Sequence, residues 1–172
     1  FVSRGLGDVY KRQIETPTWS LLLAESCRSI GFKVAILDTT AEQLTDEEAY
    51  QKILNYNPRL LCFVVYGQNV NAGTTSMSGA VRLSSFLKKK KVTTLISFVG
   101  SHVQSLPIQT IKDEENIDFV FTNEGVYSLR EILSLKKITL EKIENIKGLC
   151  FLKNGKPFMT PPQITVPQSK MD

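Results

Sequence analysis

The amino-acid sequence predicts an α/β fold in which a mainly parallel sheet is covered by helices on both faces. Short, continuous apolar segments alternate along the chain with segments whose apolar residues recur at helical spacing, a pattern typical of strands buried on both sides. The chain has 172 residues, of which 42% are hydrophobic and 22% charged. This composition indicates one globular domain that is large enough to bury a core.

The predicted helices and strands follow one another without an internal repeat. In chain order they are helix 17–30, strand 33–38, helix 46–55, strand 60–66, helix 75–90, strand 93–99, helix 107–113, strand 117–122, helix 127–135 and a hairpin over 148–159.

The first helix has signals at both ends. Thr16 is a suitable N-cap, Pro17 fits the first helical position, and Gly31 is a natural stop. Four apolar residues at helical spacing are expected to face the sheet. They are Trp19, Leu22, Leu23 and Ile30.

Local signals also delimit the elements that follow. The segment KVAILD, residues 33–38, is a short apolar strand, and Thr45 forms a capping box with Glu48 at the start of the second helix. Pro58 precedes the next strand, which ends at Tyr66.

Charged and turn-forming residues bound the later elements. Lysines 88–91 end the third long helix, where positive charge suits both the helix dipole and water. We therefore interpret them as a solvated helix end rather than a nucleic-acid-binding patch. The pair Asn154 and Gly155 is typical of a hairpin turn and predicts the final antiparallel pair of strands.

Several classes of protein are disfavoured by composition. Cys27, Cys62 and Cys150 lie far apart in the sequence, so they support neither a disulfide framework nor a metal or iron–sulfur site within this chain. No apolar segment approaches the length of a membrane span, and no signal peptide is visible. We therefore expect a cytoplasmic protein without a membrane partner.

The first thirteen residues differ from the rest in origin. Ser3 to Gln13, SRGLGDVYKRQ, looks like the in-frame translation of a transposon-end adapter used in sequencing libraries; the alternative is a basic N-terminal arm. We interpret residues 1–13 as a non-native segment. Without it the chain has 18 basic and 16 acidic residues, so the net charge falls from +4 to +2. Little basic excess then remains to indicate a nucleic-acid partner.

Three loops rich in glycine, amide and hydroxyl groups follow predicted strands, at residues 68–76, 100–106 and 123–127. Because the carboxyl ends of parallel strands lie at one edge of a sheet, these loops should converge on one crevice, where such folds bind ligands. In the first loop, Thr74 and Thr75 lie where a helix N-terminus offers N–H groups to a phosphate. Ordinary strand-to-helix turns would need the same residue types, so both interpretations stay open at this point.

Four segments of the chain carry a family resemblance. They are ETPTWSLLLAESCRSIGFKVAILDTTAE (15–42), VVYGQNVNAGTTSMSGA (64–80), VGSHVQSLP (99–107) and IDFVFTNEGVYSLREIL (117–133). Together they resemble the N-terminal cobalamin-binding domain of cobalamin-dependent radical S-adenosylmethionine enzymes, the group that includes the anaerobic Mg-protoporphyrin monomethyl ester cyclases. The last three are similar to the family loops Y-G-Q-x-x-x-x-S/T-T-x-x-M, G-G-x-H-x-x-x-x-P and D-x-V-x-x-G-E-G-E-x-x-x-x-E-L. The trailing IKGLCFLKNGKPFMTPP also looks like the family's hairpin.

The resemblance implies a flavodoxin-like (Rossmann-like) fold that holds cobalamin at the carboxyl edge of the strands. Cobalamin carries a phosphodiester and a ring of amides, which suit N–H donors, amide side chains and glycines that permit close approach. The candidate cofactor-binding residues are Tyr66, Gly67, Gln68, Asn69, Asn71, Thr74, Thr75, Gly100, Ser101, His102, Glu124 and Gly125. We identify no catalytic residue and no metal ligand.

His102 is the single histidine of the chain, and imidazole can ligate cobalt. Modules that bind cobalamin through histidine use a D-x-H-x-x-G motif, whereas Gly100 stands two residues before His102 here. We therefore expect cobalamin to be bound without a histidine ligand, and His102 to act as a hydrogen-bonding residue of its loop.

The resemblance also implies a domain organisation. Residues 1–13 are the adapter-derived segment, 14–145 the cobalamin-binding domain, 146–162 a hairpin extension and 163–172 the start of a linker. The linker would lead to a missing radical S-adenosylmethionine domain that holds a 4Fe-4S cluster and S-adenosylmethionine and carries out methyl transfer or ring-forming chemistry. This chain alone is then expected to bind and position a cofactor rather than to catalyse.

A flavodoxin-like strand order of 2-1-3-4-5 would make the first strand central, between residues 33–38 and 60–66. That strand would be missing from this chain, so unless residues of the adapter-derived segment fill its place by chance, we expect a gap or a makeshift pairing in the sheet and a poorly stable chain.

Two other functions stay open. One is a flavodoxin-like redox module that binds flavin, although its loops lack aromatic residues suited to stack on a flavin. The other is a degenerate docking domain without a cofactor, which is consistent with departures from the family motifs at Val99, Asn123 and Val126.

Overall fold

The computed structural model describes residues 2–3, 16–66, 70–167 and 169 of the chain, and the side chains of 16–66, 76–167 and 169. Helices and strands alternate through most of this length. The helices are α1 (Thr18–Arg28), α2 (Asp46–Tyr56), α3 (Val70–Lys89), α4 (Ser101–Ser105), α5 (Pro107–Asp113), α6 (Val126–Ser134) and α7 (Leu140–Ile143). The strands are β1 (Val2–Ser3), β2 (Leu37–Asp38), β3 (Leu61–Val64), β4 (Ile96–Val99), β5 (Phe119–Phe121), β6 (Leu149–Lys153) and β7 (Lys156–Met159).

The strands form one sheet of order β2-β1-β3-β4-β5-β6-β7. The strands from β2 to β5 are parallel, and β6 and β7 add an antiparallel hairpin at one edge. The fold class and the order 2-1-3-4-5 predicted from the sequence are therefore confirmed. The register pairs Val64 with Val99, so β3 and β4 end side by side.

Apolar side chains cover both faces of the sheet because successive residues of a strand point to opposite sides. Phe63 belongs to the core cluster on one face, and Val64 to the cluster on the other. The helices on the first face contribute Ala49, Ile53, Leu83, Leu87 and Ile111. Those on the second face contribute Leu23, Cys27, Leu129, Ile132 and Ile143. Helices α2, α3 and α5 thus cover one side, and α1, α6 and α7 the other.

Helix α1 faces the sheet with a different stripe from the one predicted. Its buried residues are Ser20, Leu23, Ala24 and Cys27, which recur at positions i, i+3, i+4 and i+7 and form one narrow face. Trp19 is 44% exposed and Leu22 57% exposed, so the prediction that both are core residues is wrong. The helix also begins one residue later than predicted, at Thr18, with Pro17 at the N-cap and no capping side chain.

Most other boundaries agree with the sequence signals. The predicted capping box of α2 is present, with Glu48 N donating to Thr45 Oγ1 (3.2 Å) and Thr45 N donating to Glu48 Oε2 (2.8 Å). Helix α5 has the predicted bounds. The short helices α4 and α7 were not predicted, and α3 begins at Val70 rather than near Thr75.

Strand β1 consists of Val2 and Ser3 and lies in the central position between β2 and β3. Two residues of the N-terminal segment therefore fill the central slot, which is the exception to the predicted gap or makeshift pairing. Strand β2 is equally short, Leu37–Asp38 instead of the predicted 33–38, because a ladder extends only as far as its partner. Ahead of β1 the slot opens into a cavity of about 170 Å³ between 33–37 and 58–62.

None of the described helices is both long enough and apolar enough to cross a lipid bilayer.

The three free thiols make stability depend on pH in the alkaline range. Burial raises the pKa of Cys27, Cys62 and Cys150 from 9.0 to about 11. Since the fold favours the neutral thiols, their contribution is complete below pH 9 and is lost as the pH rises through 11. For fully buried Cys62 the loss is at most roughly 3 kcal/mol.

Urea unfolding between pH 8 and pH 11 measures this effect, and the free energy of unfolding should fall steadily above pH 9. A Cys62→Ala variant has one thiol fewer and should show a shallower decline. Equal slopes for the two proteins would contradict the prediction.

Candidate functional site

The carboxyl ends of β3, β4 and β5 lie close together because two glycines allow it. A Cβ atom at Gly100, just after β4, would lie 2.0 Å from the carbonyl oxygen of Val65, just after β3. A Cβ atom at Gly125, which has a φ of +77°, would lie 3.1 Å from the ring of Phe121 and 3.4 Å from Val99 Cγ2. The packing of the protein itself therefore requires glycine at both positions, whatever ligand the loops hold.

Tyr66 lies at this edge with its phenol fixed by two neighbours. Its ring stacks on Trp19, with ring centroids 4.5 Å apart, and Gln104 Nε2 donates a hydrogen bond of 2.5 Å to its hydroxyl oxygen. Burial raises the pKa of Tyr66 to about 12 against the opposing effect of the Gln104 hydrogen bond, and the negative charge of Glu124 raises it further. The phenol is therefore neutral near pH 7 and can still donate its O–H.

Ser101 carries an unusual group. It is the first residue of α4, directly after Gly100, and its Oγ is buried without a hydrogen-bond partner in the described part of the chain. Buried hydroxyls are normally paired, because an unpaired one costs free energy. The half-buried side chain of His102 follows in the same turn. A ligand at this edge could supply the partner that Ser101 lacks.

Side chains of the loop between β5 and α6 form hydrogen bonds with a later part of the chain, residues 163–166. Asn123 Oδ1 accepts a hydrogen bond from Gly125 N (2.9 Å), and Asn123 Nδ2 donates to the carbonyl oxygen of Gln163 (3.2 Å). Glu124 Oε1 accepts a hydrogen bond from Val166 N (2.9 Å). Sequence reasoning missed this contact, because residues 163–172 were interpreted only as the start of a linker.

The structure brings six of the predicted cofactor-binding residues to one edge of the sheet: Tyr66, Gly100, Ser101, His102, Glu124 and Gly125. The predicted residues Gly67, Gln68 and Asn69 lie outside the described residues. Asn71, Thr74 and Thr75 lie in α3, of which the structure describes only the backbone at these positions.

The predicted phosphate site at a helix N-terminus needs correction. It placed Thr74 and Thr75 at the first turn of a helix, but α3 begins at Val70, so both residues lie inside the helix. Their N–H groups are then used by the helix itself rather than available to an anion. Asp38 ends β2, where its sequence position fits either a turn-forming residue or a contact with a ligand hydroxyl. Its Oδ1 accepts hydrogen bonds from Thr40 N and Ala41 N (both 3.0 Å), so it shapes a turn.

The donor set at this edge fits the cobalamin that the family resemblance implies. Ser101 offers a buried hydroxyl in need of a partner, and Tyr66 offers a neutral O–H. Such uncharged groups suit the peripheral amides of a corrinoid. Among the described residues, no group of three or more histidine, cysteine, aspartate or glutamate side chains could hold a metal ion. The cavity of about 170 Å³ lies at the opposite edge of the sheet and does not belong to this site.

No protein-family model matches the chain. A curated relative, the uncharacterized methyltransferase PH0819 of Pyrococcus horikoshii, is 26% identical over 130 residues, which cover 76% of this chain. The match covers 27% of the relative, so the chain spans about a quarter of the length of that protein.

Several solved structures share the fold. The radical S-adenosylmethionine methyltransferase TsrM of Kitasatospora setae, with tryptophan substrate and an S-adenosylmethionine analogue bound, matches with a TM-score of 0.70 and 16% identity over 94% of this chain and 29% of its own. TsrM with cobalamin and a 4Fe-4S cluster bound matches with a TM-score of 0.65 and 17% identity over 99% of this chain and 30% of its own.

The apo form of the cobalamin-dependent S-adenosylmethionine radical enzyme OxsB matches with a TM-score of 0.61 and 15% identity over 86% of this chain and 19% of its own. At these identities the likeness shows a common fold, and in each case the shared part is under a third of the longer chain.

Proposed function

We propose that this chain is the cobalamin-binding module of a cobalamin-dependent radical S-adenosylmethionine enzyme. The observation that carries the proposal is the buried hydroxyl of Ser101 at the carboxyl edge of the sheet, which has no hydrogen-bond partner among the described residues. It lies where folds of this type bind ligands. The shared fold with TsrM and OxsB supports the same conclusion.

The described residues have distinct roles in this proposal. Ser101 and Tyr66 donate hydrogen bonds to the amide rim of the corrinoid. Gly100 and Gly125 bring the three loops together by permitting their close packing. His102 is a hydrogen-bonding residue rather than a ligand of cobalt. When bound, the corrinoid supplies a carrier for a methyl group or for radical chemistry, and this chain's own residues hold and orient it.

The activity of the whole protein forms a second part of the proposal. A radical S-adenosylmethionine domain elsewhere in the same protein would hold the 4Fe-4S cluster and cleave S-adenosylmethionine. Methyl transfer is favoured over ring-forming chemistry by the methyltransferase relatives, although the sequence motifs resemble those of the cyclase group. The three buried free thiols are consistent with a cytoplasmic location.

Titration of the purified chain with hydroxocobalamin tests the proposal. We expect saturable binding, followed by the absorption of the bound corrinoid after removal of excess ligand. A parallel titration with flavin mononucleotide should show none. Flavin binding would support the redox module instead, and binding of neither ligand would support a docking domain without a cofactor.

A Ser101→Ala variant should lower the affinity for hydroxocobalamin without lowering the stability of the free protein. Removing an unpaired buried hydroxyl should leave the free protein equally stable or more stable, whereas hydroxocobalamin should bind roughly fivefold more weakly because about 1 kcal/mol of hydrogen bonding is lost. Thr139, ahead of α7, also has a buried hydroxyl without a partner in the described chain. A Thr139→Val variant is therefore the matched control and should bind normally. Unchanged affinity in Ser101→Ala would contradict the assignment.

A further inference from the structure

Residues 160–167, TPPQITVP, leave the hairpin and run along the β5–α6 loop. Beyond Thr160, which pairs with Leu149, four hydrogen bonds join residues 161–166 to the domain. They are Gly148 N to Pro161 O (2.8 Å), Asn123 Nδ2 to Gln163 O (3.2 Å), Gln163 Nε2 to Glu131 Oε1 (2.9 Å) and Val166 N to Glu124 Oε1 (2.9 Å). Two of them are made by side chains of the candidate site loop, 40 and 42 residues away in the sequence.

The surface beneath the segment is shaped to receive it. Gly148 has a φ of +77°, and a Cβ atom there would lie 2.8 Å from Gln163 Cβ and 2.9 Å from Ser128 Oγ. A larger residue at 148 would therefore push Gln163 away from the domain. The segment thus packs against the domain as well as forming hydrogen bonds with it.

The composition of the segment makes it stiff. Pro161, Pro162 and Pro167 each fix a backbone dihedral, and Pro167 restricts Val166 to extended conformations. Proline-rich segments act as semi-rigid spacers. Since Val166 is held by Glu124, the stiff segment is fixed to the domain close to its end at Pro167.

The anchor lies beside the candidate cofactor site. A Cβ atom at Gly125, the residue after Glu124, would lie 3.4 Å from Val99 Cγ2, and Val99 directly precedes Gly100. The segment that Glu124 binds therefore runs past this edge of the sheet.

We infer that Asn123 and Glu124 are positioning residues that bind the main chain of residues 163–166 and so fix the path of the chain past the candidate site. The inference goes beyond the proposed function and does not depend on the cofactor. It assigns Glu124 to the chain's own segment instead of to the ligand, the role that the family resemblance implied.

Hydrogen exchange at the Val166 amide, measured by NMR on the 172-residue chain, tests the contact. Glu124→Ala removes the acceptor, so exchange should become at least about tenfold faster. Glu124→Gln keeps an oxygen acceptor and should largely restore protection. Glu115→Ala, which removes an exposed carboxylate ahead of β5, is the matched control and should leave the rate unchanged. An unchanged rate in Glu124→Ala would overturn the inference.

A spin label tests the path of the segment. Thr165 is exposed, and a Thr165→Cys variant can be labelled selectively near neutral pH because burial raises the pKa of the three native thiols to about 11. The label should broaden the amide resonances of Gly100 and Gly125. This broadening should be lost when Asn123 and Glu124 are both replaced by alanine, and its persistence would contradict the inference.

Titration of the same variants with hydroxocobalamin distinguishes the two roles of Glu124. Weaker binding by Glu124→Ala without faster exchange at Val166 would assign the carboxylate to the ligand and overturn the inference. If the wild-type chain binds no corrinoid, the proposed function fails, while the exchange and spin-label results still decide the role of the anchor.

Discussion

Replacement of Gly100 by alanine is expected to be the most damaging single substitution at the candidate site, with a loss of at least about 3 kcal/mol in the free energy of unfolding. The added Cβ atom would lie 2.0 Å from the carbonyl oxygen of Val65. That oxygen belongs to the backbone of the neighbouring strand end and cannot rotate away. The two strand ends would have to separate, which would strain the hydrogen bond between Val65 N and Val99 O (2.8 Å).

Urea unfolding and the hydroxocobalamin titration measure the two consequences of Gly100→Ala. Stability should fall, and affinity should fall with it, because Ser101 is the next residue and moves with the loop. Gly155→Ala is the matched control, since Gly155 has a φ of +73° but no atom within 4 Å of an added Cβ. It should cost only about 1 kcal/mol, from backbone strain in the hairpin turn. Equal losses in the two variants would show that the contact with Val65 is unimportant.

Much of the fold could be predicted because its signals are local. A strand buried on both faces is mainly apolar, as 61–64 is and as 96–99 is apart from Ser97, and a capping box is complete within four residues, as at Thr45 and Glu48. The Asn154-Gly155 turn likewise predicts its hairpin without reference to the rest of the chain. Such features are decided by neighbours in sequence, so one sequence is enough to recognise them.

The errors arise where tertiary contacts decide the outcome. In α1, Trp19 has a large apolar side chain that favours burial against the sheet. The small residues Ser20 and Ala24 face the sheet instead, and Trp19 stacks on Tyr66. In α3, glycine and asparagine near the start favour a turn, yet the helix extends back to Val70. Local propensity is a weak preference that packing overrides in both places.

At the candidate site, too, some features could be predicted from the sequence, whereas those that depend on tertiary contacts could not. The strand ends at which its loops lie could be predicted, because a parallel sheet brings its carboxyl ends to one edge. The need for glycine at position 100 could not be predicted, because it depends on where Val65, just after another strand, is placed. The hydrogen bond that Glu124 accepts could not be predicted either, since its donor Val166 is 42 residues away. Contacts of this kind have no signature in either of the two segments.

Extension of the N-terminus by three apolar residues, Val-Ile-Val ahead of Phe1, is expected to stabilise the chain. The register pairs Val2 with Leu37 and with Phe63. Counting back from these pairs, three added residues would lie beside 33–35 on one side and 59–61 on the other. Those residues line the cavity of about 170 Å³. The extension would therefore lengthen β1 into the space that the short strand leaves open.

The expected gain follows from the cavity and from the backbone. At roughly 24 cal/mol per Å³, filling a cavity of about 170 Å³ corresponds to at most about 4 kcal/mol. The added strand would also offer ladder partners to the residues ahead of β2, where Arg28 Nη2 now donates to the carbonyl oxygen of Val34 (2.9 Å). The ordering of three more residues costs about 1 to 2 kcal/mol each, which is comparable to the cavity term. The net gain therefore depends on the new backbone hydrogen bonds and on burial of the three apolar side chains as well.

A Gly-Ser-Gly extension of the same length is the matched control, because it adds backbone without apolar side chains. Thermal and urea unfolding should show a higher midpoint for the Val-Ile-Val chain than for the control, and hydrogen exchange should show added protection at Leu60 and Cys62. If both extensions leave stability and exchange unchanged, the cavity is not the continuation of β1. The sheet would then gain nothing from a longer central strand, and its stability would have to depend on the four parallel and antiparallel pairings from β3 to β7.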